Sequence, residues 1–284
     1  MEEAIKKAEV LIEALPYIKK FHKKVVVIKY GGSILGDEKI RKGVLEDIVF
    51  LNFMGLEPIL VHGGGPNISE RMRSTGKKAD FVDGMRVTDA ETLAVVEEEL
   101  QKLNDLIVGE IKELGGLVSG LNGKNKKLIQ AQKKLSEVDL GFVGEIIDIN
   151  AQPILDNIKI DTIPVILPMG VDDNKQAYNV NADEAASNIA GALKAEKLVL
   201  LTNVKGIMRS AEDPNSFIST LTQADSEALI ADKVVQKGMI PKVRACIDAL
   251  DKGVKKTHII DACVPHALLL EVFTDTGIGT EIIK

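Results

Sequence analysis

Residues 25–35 read VVVIKYGGSIL, a β-branched run that meets one lysine and then two glycines. Val25–Ile28 has the composition of a buried strand. Such a strand gains nothing from a terminal ammonium, and glycine weakens strands while letting other groups approach the backbone closely. Lys29, Gly31 and Gly32 therefore mark a strand end where a cation and bare peptide groups are wanted together.

The same strand opens a βα alternation. A helix is predicted over roughly 38–54, a second apolar strand in EPILVH (57–62), and a further helix after GGGP, with Pro66 near its first turn. FVDGMRVT reads as a hairpin, with Thr88 or Asp89 capping a long helix over 89–114. Residues 115–150 alternate like antiparallel strands with glycine turns, and IPVILPMG (163–170) reads as one buried strand. The alternation resumes with a helix over 182–194, a strand KLVLLT (197–202), helices over about 222–252, a strand THIIDA (257–262), a helix over 266–273 and a last strand near 280. Long apolar strands alternating with helices predict an α/β fold, a three-layer αβα sandwich around a mainly parallel sheet, with two lobes dividing near residue 170.

Composition narrows the class. The 284 residues carry 36 Lys and Arg against 42 Asp and Glu, a net charge of −6, which argues against a nucleic-acid binder. No apolar run reaches the roughly 20 residues of a membrane span. The two cysteines and four histidines form no metal-like spacing, which fits a reducing, cytoplasmic setting. The N-terminal segment is amphipathic, with Ile5, Ala8, Ile12 and Leu15 spaced by three and four until Pro16 and Tyr17 interrupt it. It precedes the alternation and suits packing on its own domain or on a neighbouring chain.

Ligands of open α/β sheets sit beyond the carboxyl ends of the strands. There the chain places KYGGS after the first strand and HGGGP after the second, two glycine-rich turns at one sheet end. Either alone is accounted for as a tight turn; together, with a strand-end lysine, they suit a phosphate or carboxylate. The G-x-x-x-x-G-K-[ST] and G-x-G-x-x-G signatures are absent, so neither a P-loop nor a dinucleotide fingerprint supplies the site. Arg86, one of six arginines, offers a planar fork for a carboxylate; Asn179, Asn181 and Asp183 enter a helix; Lys242 stands after Pro241 at the positive end of another, where an anion would suit it.

The blocks VVVIKYGGS, VHGGGP, GMRVTDAETL, DLGFVGE, IPVILPMG, NVNADEAA, KGMIPKV and HIIDACVPHALLLEVFTDTGIGTEI, in this order, resemble the amino acid kinase family, and within it the members acting on N-acetyl-L-glutamate. The resemblance implies ATP-dependent phosphorylation of the substrate's side-chain carboxylate in arginine biosynthesis, with Mg²⁺ carried by the nucleotide and no protein metal site. It implies an oligomerising and regulatory helix over 1–22, an acyl-substrate and dimerisation lobe over 23–170, and an ATP lobe over 171–284. Lys29 and Lys242 would act on the transferring phosphoryl group, with Asp183 orienting both. Gly31, Gly32, Gly64 and Gly65 would offer N–H groups, and Arg86 and Asn179 would bind the non-reacting carboxylate. Thr202, Asn203, Gly206, Gly238 and Met239 would border the nucleotide. Asn203, Lys205 and Lys237 stand where the family more often has aspartate, a small residue or proline, and glycine. The N-terminal helix and the C-terminal stretch resemble arginine-inhibited members, which implies an arginine site at Tyr17, His258, Glu271 and Gly277, dimers paired by the N-terminal helices into a hexamer, and room for a PII-type signalling partner. The alternatives are a kinase of the same fold acting on an aminoadipate derivative or other small carboxylate, a non-catalytic amino-acid sensor, and a Rossmann-type dehydrogenase.

Overall fold

In the first predicted strand Val26, Val27 and Ile28 are buried and Val25 is half-buried, the side chains divided between two faces. In the computed structural model, which describes all residues except 83, 211, 212, 214, 215, 236, 237, 275 and 276, Val26, Ile28 and Tyr30 pack into one core and Val27 into another. The alternation of side chains along a strand produces this division. Lys29 shares the Val27 face. Lys237 lies outside the described residues.

The central sheet has eight strands, in the order Thr220–Thr222, Thr280–Ile283, Lys256–Asp261, Lys197–Thr202, Val25–Tyr30, Glu57–His62, Ile163–Leu167, Val118–Asn122. All neighbours pair in parallel except Lys256–Asp261 with Thr280–Ile283. The four strands earliest in the chain lie together on one side, the four latest on the other. On one face pack the helices Gln152–Ile158, Ala182–Ala192 and Ile240–Asp251; on the other, Glu38–Phe53, Ala90–Glu113 and Ala267–Phe273. Burial on both faces explains why these strands read as nearly unbroken apolar runs.

Helix starts follow local chemistry. Asp37 accepts from Ile40 N–H, Asp89 from Thr92 N–H, and Thr222 forms a capping box with Asp225. Pro16, Pro66, Pro153 and Pro241 each occupy a first turn, where the missing N–H is no loss. The N-terminal segment forms two helices, Glu2–Glu13 and Leu15–Phe21, parting where Pro16 was expected to disturb the pattern.

Two expectations are corrected. Val118–Asn122 pairs in parallel with Ile163–Leu167 as the edge of the main sheet and is not antiparallel; only Ile129–Lys133 and Gly144–Ile149 form the expected hairpin. The stretch 163–170 is also not one strand. Beyond Pro168, Met169–Val171 enters a separate four-stranded sheet with Ala177–Asn179, Ile129–Lys133 and Gly144–Ile149. Pro168 is an apt break, because proline cannot donate to a ladder.

Candidate functional site

The strand order reverses between Val25–Tyr30 and Lys197–Thr202, the switch point where open α/β sheets leave a crevice beyond their carboxyl ends. Lys29 lies there, 7% exposed. Its Nζ stands 2.9 Å from Asp183 Oδ1, and Lys242 Nζ stands 3.0 Å from Asp183 Oδ2. One carboxylate thus spans two ammonium groups that are far apart in the chain. Asp183 is held by local structure: the Asn181 side chain caps helix Ala182–Ala192, accepting from the Asp183 and Glu184 N–H groups at 2.8 and 3.2 Å. Lys242 projects from the first turn of Ile240–Asp251, after Pro241.

The electrostatics follow from this packing. Burial alone would raise the Asp183 carboxyl, but Lys29 and Lys242 overcome it and lower its pKa to about 2. Burial lowers the Lys29 ammonium, against the attraction of Asp183 and with the repulsion of Lys242. The glycines complete the centre. Gly31 is extended, but a Cβ on it would sit 3.1 Å from Lys29 Nζ and 3.2 Å from Gly63 N, so the two glycine turns touch backbone to backbone. Gly63 N–H donates to Tyr30 O at 2.9 Å, joining the turns. Gly32, at φ +77°, needs its glycine for conformation.

Beside this centre lies a cavity of about 230 Å³ lined by Lys29, Gly64, Gly65, Arg86, Asn179 and Asp183 among others. Helix Gly65–Ser74 starts here, and the first N–H groups of any helix lack intrahelical partners. The buried Arg86 guanidinium donates to Gly65 O (2.9 Å), Ser69 Oγ (2.7 Å) and Met72 Sδ (3.2 Å), and rests over the Phe81 ring. Among the described residues, these three bonds leave two of its five N–H groups for a ligand. Asn179 Nδ2 donates to Thr88 Oγ1 at 3.1 Å. A small acid held by Arg86 and Asn179 would direct its other end at Lys29 and the glycine turns.

A second cavity, of about 460 Å³, lies apart from the first and is lined by Tyr17, Lys20, Lys197, His258, Glu271, Gly277 and Glu281, among others. Buried His258 Nδ1 lies 2.8 Å from Glu271 Oε1, and Lys197 Nζ lies 3.4 Å from the same oxygen. Burial would raise Glu271, but its bond with His258 prevails and lowers it to about 2.

The sequence profile of the amino acid kinase family matches residues 24–261. The chain belongs to the amino acid kinase family. Acetylglutamate kinase of Caldanaerobacter subterraneus subsp. tengcongensis is 50% identical over 283 residues, covering 99% of this chain and 95% of that protein. Acetylglutamate kinase of Methanocaldococcus jannaschii is 47% identical over 295 residues, covering 100% and 98%. Among solved structures, N-acetylglutamate synthase from Neisseria gonorrhoeae, complexed with coenzyme A and N-acetyl-glutamate, superposes with a TM-score of 0.86 at 23% identity, over 96% of this chain and 62% of that longer one. Carbamate kinase from Giardia lamblia bound to AMP-PNP gives a TM-score of 0.67 at 18% identity, over 92% and 99%. The structural likenesses speak for the amino acid kinase fold.

Within this amino acid kinase framework, Lys29, Gly31, Gly32, Gly64, Gly65, Arg86, Asn179, Asp183 and Lys242 come together at one sheet end. Tyr17, His258, Glu271 and Gly277 come together at the other cavity. Thr202, Asn203 and Gly206 follow the carboxyl end of the strand beside Lys29's, where Asn203 and Lys205 are exposed. The Thr202 hydroxyl is turned to Val204 O of its own loop and Ile260 O of the neighbouring strand, so it ties the turn to the sheet. Gly238 and Met239 directly precede helix Ile240–Asp251. Sequence reasoning missed the apolar cavity walls Phe81, Met85, Leu100 and Val143, and Lys197 and Glu281 in the second cavity. Lys197, as the charged first residue of an otherwise apolar buried strand, was the one available signal.

Proposed function

We propose that the chain transfers the γ-phosphoryl group of ATP to the side-chain carboxylate of N-acetyl-L-glutamate, giving an acyl phosphate, in arginine biosynthesis. The observation that carries the reading is the pair of ammonium groups, Lys29 and Lys242, bridged by Asp183 beside two touching glycine turns. Identities of 50% and 47% to acetylglutamate kinases over nearly the whole chain support the choice of substrate.

The chemistry asks for little beyond placement. The attacking carboxylate is ionised at neutral pH, so no general base is needed. Its oxygen forms the new P–O bond while the bond to the β-phosphate oxygen breaks and ADP leaves. Charge spread over the equatorial oxygens meets Lys29, Lys242 and the glycine N–H groups. Asp183 aims both lysines and opposes the burial that lowers the Lys29 ammonium. Arg86 and Asn179 hold the α-carboxylate so that the reacting end faces the phosphoryl group. The nucleotide would lie over Thr202, Asn203, Gly206, Gly238 and Met239, in a lobe of residues 171–284 facing a substrate lobe of 23–170. Mg²⁺ suits the nucleotide's phosphates: both Asp183 oxygens face ammonium groups, and no described cluster of three acidic, histidine or cysteine residues offers a cage.

ADP release measured across N-acetylglutamate, glutamate, aspartate, carbamate and an acylated aminoadipate tests the substrate. N-acetylglutamate should give the highest kcat/KM; a higher value for any other removes the assignment.

The second cavity favours a regulatory reading as well. Carboxylates at Glu271 and Glu281, a partly polar rim and Lys197 suit both ends of free L-arginine, and we propose feedback inhibition there. The exposed Val10, Leu11 and Ile12 on the first helix fit pairing with a second copy, in an oligomer that a PII-type protein could recognise. No described helix is long and apolar enough to cross a membrane, and a cytoplasmic location is part of the proposal. Activity unaltered by millimolar arginine would remove the regulatory part alone.

A further inference from the structure

His62 ends the strand Glu57–His62 directly before the second glycine turn, is fully buried, and has no part in the chemistry above. Its two ring nitrogens have different neighbours. Nε2 lies 3.1 Å from Asn104 Nδ2, and Nδ1 lies 3.2 Å from Gly63 O. Asn104, on helix Ala90–Glu113, also directs Nδ2 at Val165 O, 3.0 Å away. That third contact fixes the rest. A carbonyl oxygen only accepts, so the Asn104 atom facing it is the amide nitrogen, and the same nitrogen donates its other hydrogen to His62 Nε2. Nε2 is then an acceptor, the ring proton sits on Nδ1, and Nδ1 donates to Gly63 O. Burial also lowers the His62 pKa to about 4, so the ring is neutral near pH 7 and can serve as acceptor on one side and donor on the other.

Further features seat this relay. Asn104 Oδ1 lies so close to Gly120 that a side chain there would strike it, so the edge strand is glycine where the amide needs room. On the same long helix, Leu100 and Leu103 lie under Gly64, where a Cβ would come within 2.8 and 3.1 Å of their methyl groups. Gly63 N–H is already committed to Tyr30 O. With its carbonyl held by His62, the planar trans peptide points Gly64 N–H the opposite way, away from the buried ring. Gly64 lines the cavity.

We propose that His62, set in its Nδ1–H tautomer by Asn104, is a positioning residue that locks the Gly63–Gly64 peptide so that the Gly64 N–H meets the anionic oxygens of the reacting groups. The inference rests on the kinase reading of this site. Without His62 the Gly63–Gly64 peptide, flanked by two glycines, is free to rotate, and the donor is lost from its line.

The test compares His62→Leu, which has no donor, with His62→Asn, whose amide nitrogen can stand where Nδ1 stood. In His62→Leu, kcat should fall by about 10- to 100-fold while KM for ATP stays near wild type. His62→Asn should recover most of the loss. A role in stability alone would move both variants alike, in proportion to their folded fraction. The proposal is overturned by a His62→Leu kcat within about threefold of wild type, or by His62→Asn performing no better than His62→Leu at equal folded fraction. Nitrogen NMR of the wild-type histidines keeps the idea testable should the variants not fold: an Nε2–H tautomer at His62 overturns it. This readout needs no turnover, so it separates failure of the relay from failure of the kinase assignment, which inactive wild-type enzyme would show.

Discussion

Replacing Asp183 by Asn removes one negative charge from between two positive ones while keeping the shape of the side chain. The carboxylate is 2.9 Å from Lys29 Nζ and 3.0 Å from Lys242 Nζ, and the Asp183 and Lys29 side chains are each only 9% exposed. At about 4 Å and an effective dielectric of about 20, each such pair is worth roughly 4 kcal/mol of attraction, part of it offset by desolvation of the carboxylate. Neutralising one member of a buried pair typically costs about 3–5 kcal/mol, a large share of the roughly 5–15 kcal/mol that keep a domain folded. Lys29 then has burial and Lys242 pressing its pKa down, with the opposing attraction of Asp183 gone. Two results should follow for Asp183→Asn. The urea midpoint falls, and kcat drops by roughly 10²- to 10³-fold, as for loss of an oriented charge-stabilising donor. The deficit should widen with rising pH as Lys29 gives up its proton. A coupled ADP-release assay from about pH 6 to about 9 reads the second, with a urea titration confirming the folded fraction. A folded Asp183→Asn enzyme with kcat within about threefold of wild type and an unchanged pH profile would refute the reasoning.

Arg86→Ala should raise KM for N-acetylglutamate by about 10- to 100-fold, the worth of a charge-assisted bond, and change KM for ATP far less; equal changes in both would contradict the assignment. Gly206 has φ +137°, and a Cβ there would meet Thr280 Oγ1 at 2.6 Å and Phe217 at 2.9 Å. Gly206→Ala should therefore lose about 1–3 kcal/mol or more and lower Tm by several degrees; an unchanged melting curve would speak against the packing of that loop. His62 resists protonation until about pH 4 when folded, whereas the unfolded chain takes up the proton near 6.5. The unfolded state binds more protons between these values, so this residue's contribution falls as pH drops through the window, by at most about 3 kcal/mol. Urea titrations at both ends of the window should show a wild-type loss that His62→Leu lacks; parallel pH curves for the two would contradict it.

Strand ends carried most of what the sequence made legible. Lys29, Gly31 and Gly32 were readable because a charge and two glycines violate the logic of the strand before them, and the structure shows Gly31 needed for close approach to Lys29 and Gly63. The Asp89 cap and the antiparallel pairing of Phe81–Val82 with Met85–Arg86 were readable from local chemistry alone. Asn181 turned out to be absorbed by capping, which leaves Asp183 and Asn179 as the polar groups that capping does not explain. Sheet membership was less visible. Val118–Asn122 stands close in sequence to a true hairpin, yet its partner is a strand some forty residues on, and nothing local distinguishes the two pairings. The break after Leu167 was hidden because both halves of 163–171 are apolar. The link from His62 to Asn104 was invisible for a similar reason: a histidine at a strand end and an asparagine inside a helix suggest nothing until the fold brings them to 3.1 Å.

Hydroxylamine trapping is the most direct test of phosphoryl transfer between Lys29 and Lys242. With N-acetylglutamate, ATP and Mg²⁺, the wild-type chain should yield one acyl hydroxamate per ADP, and Lys29→Ala and Lys242→Ala should each slow this by roughly 10²- to 10³-fold. ADP released without hydroxamate, or folded lysine variants that turn over at the wild-type rate, would contradict it.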